Sequence, residues 1–155
     1  MNRIHELIGS SKNDVITSDT HPIPFLIKVD EIKQDNKKLS DRIATFRSMT
    51  NEMALSVTNV GGPNTQETEL DTLTDEIRKM MSATKDKLTL LKKMPRENMS
   101  ANIHSVLCSQ LIKSMTEFQS IQTAHKNRMQ TRLIGKLRYL HPDLSNDEIL
   151  QMIEN

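Results

Sequence analysis

The feature that most constrains this chain is where it cannot bend. Of its 155 residues only four are Gly and five are Pro, and these nine sit at a few places, leaving long segments with no residue that breaks a helix. From Phe25 to Val60 there is neither. Within that segment the positions 25, 29, 32, 36, 39, 43, 46, 50, 53, 57 and 60 alternate steps of four and three. All but two are apolar: Phe25, Val29, Ile32, Leu39, Ile43, Phe46, Met53, Val57 and Val60. This spacing predicts a helix over about 24–60, roughly 50 Å long, with one apolar stripe packed nearly parallel to other helices. Pro24 suits its first turn and Gly61-Gly62-Pro63 ends it. Asn36 and Thr50 interrupt the stripe, either as tolerated polar layers or as residues that fix the register.

A second helix is expected over 65–93. Glu67, Glu69 and Asp71 open it and Lys92-Lys93 close it before Pro95, charges that match the helix dipole at both ends. Its buried face reads Leu70, Leu73, Ile77, Met80, Met81, Thr84, Leu88 and Leu91. A third runs over about 99–140, stopped by His141-Pro142, with Ile103, Leu107, Leu111, Met115, Phe118, Gln122, His125, Met129, Leu133, Leu137 and Leu140 on one side. Gly135 is a weak point inside it, costing about 1 kcal/mol. Ser145-Asn146-Asp147-Glu148 is a capping box ahead of Ile149, Leu150, Met152 and Ile153. Short breaks between long helices leave no room for a crossover, so the expected fold is all-α: an antiparallel up-down-up three-helix bundle plus a short C-terminal helix. The organisation reads as a flexible N-terminal peptide and tether (1–22), the bundle (23–141), and the start of a linker with the short helix (142–155).

Composition narrows the function. Leu, Ile, Val and Phe number 38, about a quarter of the chain and above the ~20% below which chains stay disordered. One Tyr and no Trp leave little to build a sheet or to stack on bases. Lys plus Arg number 21 against 20 Asp plus Glu, so no global field draws nucleic acid or anionic lipid. Cys108 has no partner for an internal disulfide, which suits a reducing compartment. The five histidines, His5, His21, His104, His125 and His141, lack metal-ligand spacing, so neither metal nor cofactor is expected. No catalytic constellation stands out, and an enzyme is not expected. Lys126, Arg128, Arg132, Lys136 and Arg138 give the third helix a basic flank, either a solvated face or a patch for an acidic partner.

One pattern is more specific. His104-Ser105, Leu107, Leu111, Met115, Glu117-Phe118, Gln122, His125, Arg128, Arg132-Leu133 and Leu137 fix polar residues at set places, which a generic heptad does not demand. The run resembles the third helix of the amino-terminal Habc domain of syntaxins. The first helix with Phe25, Val29 and Ile32, the Glu-rich start of the second, and Asp147-Glu148-Ile149-Leu150-Gln151-Met152-Ile153-Glu154 are similar to their syntaxin counterparts in order and spacing. The opening Met1-Asn2-Arg3-Ile4-His5-Glu6-Leu7 is similar to the short peptide by which some syntaxins bind SM proteins, the chaperones of SNARE assembly. Arg3 and Leu7 match that peptide, while Asn2 stands in place of an acid and Ile4 in place of a Thr.

The resemblance implies a regulatory domain of a target-membrane SNARE in vesicle fusion. Such a domain docks an SM protein through Arg3, Ile4, Glu6 and Leu7, and folds over a SNARE-motif helix to control complex assembly. It implies the cytoplasmic face of a membrane, the plasma membrane first, reached only through an anchor beyond the end of this soluble chain. A helix-in-groove site for the SNARE helix is expected between the second and third helices, lined by Met80, Leu91, Met94, Ile112, Met115, Leu133 and Leu137, with Leu90 extending the apolar surface. Burying Leu7 contributes about 1.5–3 kcal/mol and a charge-assisted bond to Arg3 about as much again. The peptide therefore needs the tethered bundle as a second contact. The rival expectation is a structural spacer or adaptor bundle with no SNARE role, although no internal repeat favours it.

Overall fold

The computed structural model describes residues 22–56, 65–94 and 100–155, and it is helical almost throughout. Helix α1 spans Pro22–Leu55, α2 Thr65–Lys93, α3 Ser100–Leu140 and α4 Asn146–Glu154. Among the described residues there is no strand. Three long helices pack on one another and α4 rests on α3.

Paired residues fix the directions. On α1, Glu31 and Asp35 meet Lys87 of α2, and Arg42 meets Glu76; ascending α1 descends α2, so the two are antiparallel. Between α1 and α3 the partners rise together: Asn36 with Leu107, Phe46 with Phe118, Met53 with Arg132. The chain therefore runs up, down and up.

The core follows the apolar stripe. Phe25, Val29, Ile32, Leu39, Ile43, Phe46 and Met53 of α1 are buried against Leu70, Leu73, Ile77, Leu88 and Leu91 of α2 and Leu107, Leu111, Phe118 and Ile121 of α3. Phe46 and Phe118 meet edge to face, ring centroids 4.9 Å apart, a geometry that adds about 0.5–1.5 kcal/mol to their burial. Both polar interruptions are buried as well. Thr50 satisfies its hydroxyl within its own helix, donating to Arg47 O at 2.9 Å, while Asn36 reaches across to Leu107 O.

Two expectations need correction. Helix α1 stops at Leu55 instead of near residue 60, so Val57 and Val60 lie outside the described residues. The Arg132 guanidinium takes up the carbonyls of Met53 and Ala54, at 2.8 Å for Met53, and so caps the last turn. The fully buried face of α3 also ends early, at Ile121, although Met129 still packs half-buried against the core; past Arg132, α3 runs beyond the described end of α1. Its last eight residues, roughly 12 Å, extend past the level of Arg132, and Leu133 and Leu140 there are exposed. Helix α4 opens with the expected capping box, Ser145 and Glu148 exchanging backbone and side-chain bonds, and buries Ile149.

Candidate functional site

Helix rotation decides which residues face the groove between α2 and α3. Lys87 reaches across to α1, 2.7 Å from Glu31 and 2.5 Å from Asp35. Met80 and Met94 lie seven residues to either side of Lys87 and share its flank. Both are half-buried against the core, on the seam with α1. Leu91 has no exposed surface at all. The expected α2 wall of Met80, Leu91 and Met94 is thus overturned: two residues lean to the wrong side and the third is core. Leu90 is exposed but precedes Leu91 by one residue, so it stands on neither wall. The flank that α2 turns to α3 instead carries Met81, half-buried, and the exposed Lys85.

The α3 wall stands differently. His104 places Nε2 3.1 Å from Leu88 O, which orients this flank toward α2, and Cys108 follows with Sγ 3.7 Å from the imidazole. One turn and two turns on from Cys108, the same side carries Ile112, 61% exposed, and Met115, 41% exposed. Leu133, 43% exposed, and the half-buried Leu137 stand on the same side further along. Between Met115 and Leu133, about 27 Å along the helix, the same side carries Gln119, Gln122, Lys126 and Gln130, so the apolar residues form two pairs, one at each end. It is a one-walled surface, apolar at its two ends and polar between them.

On the opposite flank of α3 is a concavity that hydrophobic periodicity gave no sign of. A cleft of about 450 Å³ opens between α1 and α3, floored by Asn36 and Gln110 and walled by Lys33, Lys37 and Lys113. The Asn36 amide donates to Leu107 O and to Gln110 Oε1, both at 3.4 Å, and its buried Oδ1 has no partner. The one sequence signal was Asn36 itself, a polar residue on the apolar stripe with lysines three before it and one after it.

The basic flank of α3 is divided in its duties. Arg132 caps α1, Arg138 donates to Asn146 at the start of α4, and Lys126 and Lys136 face solvent. His125 is half-buried; burial first, then the Arg128 cation, lowers its pKa below the ordinary value near 6.5, with Glu67 opposing and Arg132 assisting. Among the described residues no group of three His, Cys, Asp or Glu is placed to hold a metal. No helix there is long and apolar enough to cross a membrane. Arg3, Ile4, Glu6 and Leu7 lie outside the described residues. Compared with protein-family models, curated proteins and solved structures, the chain finds no match.

Proposed function

We propose that this chain is the regulatory helical domain of a syntaxin-type SNARE, and that the α3 strip of Ile112, Met115, Leu133 and Leu137 receives a SNARE-motif helix. The exposed apolar residues at the two ends of that flank carry the reading. An amphipathic helix laid along α3 would cover these side chains, but since Met115, Leu133 and Leu137 are already more than half-buried, each adds less than the about 1.5–3 kcal/mol of a fully exposed side chain. A second observation supports it: the polar and aromatic residues that carry the syntaxin resemblance are those that fasten α3. His104 contacts α2, Glu117 pairs with Arg47, Phe118 packs on Phe46 and Arg132 caps α1.

With Met80, Leu91 and Met94 excluded, the incoming helix rests on α3 and meets α2 only at Met81 and Lys85. A one-walled seat binds weakly and reversibly, as suits a regulatory contact. An SM protein engages the peptide of Arg3, Ile4, Glu6 and Leu7 as a separate contact. Calorimetric titration of a SNARE-motif peptide into the chain and into its Ile112→Lys, Met115→Lys variant tests the reading. It predicts affinity about tenfold or more weaker in the variant, with an unchanged melting temperature. Equal affinities would refute it, and leave the spacer reading.

A further inference from the structure

We propose that the cleft between α1 and α3 binds a phosphorylated polyol of the inositol phosphate class. Its volume of about 450 Å³ falls within the usual range for small-ligand pockets, about 300–1,000 Å³. Along α1 it runs from Lys33 to Asp41, roughly 12 Å, which is short for a peptide longer than three or four extended residues.

The charges define the ligand. Lys33 and Lys37 stand one turn apart on α1 and Lys113 faces them from α3, and none of the three enters an ion pair among the described residues. On the α1–α2 seam, by contrast, Lys87 holds two carboxylates at once. Like charges four residues apart on a helix repel, and an anion between Lys33, Lys37 and Lys113 relieves that repulsion. Of the two carboxylates in the cleft, Glu117 is committed to Arg47, whereas Asp41 is in no ion pair among the described residues.

An anion alone does not complete the cleft. The Asn36 side chain, more than nine-tenths buried, is held by two long bonds and its Oδ1 lacks a donor. Asp41 likewise accepts only. Inorganic phosphate carries a P–OH donor, but one small anion cannot reach three lysines and also donate to both acceptors across roughly 12 Å, whereas a phosphorylated polyol with several hydroxyls can. The ligand must therefore present phosphates to the lysines and hydroxyls to Asp41 and to Asn36, whose loosely held amide turns toward the occupant. An inositol phosphate combines both, whether free or as the headgroup of a lipid. The cleft and the apolar strip occupy different flanks of α3, so this proposal stands or falls apart from the fourth-helix reading.

The test is amide-resolved titration of the whole chain with inositol 1,4,5-trisphosphate, with inorganic phosphate and tetraglutamate as comparisons, alongside co-sedimentation with phosphatidylcholine vesicles with and without phosphatidylinositol 4,5-bisphosphate. Shifts are expected within residues 33–41 and 110–117, and Lys113→Glu weakens binding about tenfold without moving the melting temperature. Asn36→Leu, which keeps the fold, weakens the inositol phosphate about fivefold and leaves inorganic phosphate unaffected. Vesicle capture that the same variants abolish assigns the lipid headgroup; binding of the soluble compound without capture assigns the free one. Tetraglutamate or inorganic phosphate binding as tightly, affinity indifferent to Lys113→Glu, or no localised shifts with either source would overturn the proposal.

Discussion

At the scale of single residues, buried polar groups carry the sharpest consequences. Asn36 lies in the core with an unsatisfied carbonyl oxygen, and the partners of its amide retain alternatives: Leu107 O belongs to a helix and Gln110 is exposed. Asn36→Leu should therefore raise stability in urea unfolding, by about 1 kcal/mol, at the expense of whatever the amide specifies. His125 presents the opposite case, a titrating group beside the core. Its folded pKa lies below the unfolded value, so the unfolded chain takes up the proton first. The stability this residue supports is present above pH 6.5 and is lost as pH falls through the folded pKa. Denaturation midpoints measured between pH 7.5 and 5 should fall on acidification, and His125→Gln should flatten that decline. Glu31 acts in a lower window. Lys87, and after it Lys28, hold its pKa below the ordinary 4.5, so its contribution persists until the pH drops below that value.

At the scale of elements, what was legible in the sequence was what one helix writes about itself. Steps of three and four placed Phe25, Val29, Ile32, Leu39, Ile43, Phe46 and Met53 on a single buried face, and Ser145 with Glu148 marked the start of α4. What one helix does to another was not written there. The stripe of α1 continues in spacing through Val57 and Val60, but the helix ends where Arg132, distant in sequence, takes its last carbonyls. Met80, Leu91 and Met94 read as edge residues because apolar spacing does not say which flank meets which neighbour; Lys87, paired with α1, shows that Met80 and Met94 lie on the α1 side. The α1–α3 cleft was illegible for the same reason, since a gap between two helices belongs to neither. Arg132→Ala should remove about 1.5–3 kcal/mol and speed amide exchange at residues 52–56. A uniform rise in exchange along α1 would contradict that capping role. Gly135 sits on the overhang of α3, and a Cβ there meets nothing within 4 Å. Gly135→Ala should therefore stabilise that segment by about 0.5–1 kcal/mol, read as slower amide exchange around it.

At the scale of the whole molecule, the bundle divides its surface by flank. The α1–α2 seam is closed by ion pairs, Lys87 with Glu31 and Asp35 and Arg42 with Glu76. The α1–α3 side carries a polar cleft beside the Arg47–Glu117 pair, and the outer flank of α3 exposes apolar residues at its two ends. A spacer in an array has no need of such asymmetry, whereas a module that receives another helix requires one apolar flank left uncovered. His104, Glu117, Phe118 and Arg132 pin α3 to its neighbours, and in the proposed reading this fastened helix is the docking surface. The most direct test is to map backbone amide shifts of the chain on addition of a SNARE-motif peptide. Docking on α3 predicts shifts centred on Ile112, Met115 and Leu133, with smaller ones at Met81 and Lys85 and none along residues 33–41. Shifts that avoid α3, or no shifts at saturating peptide, would contradict it.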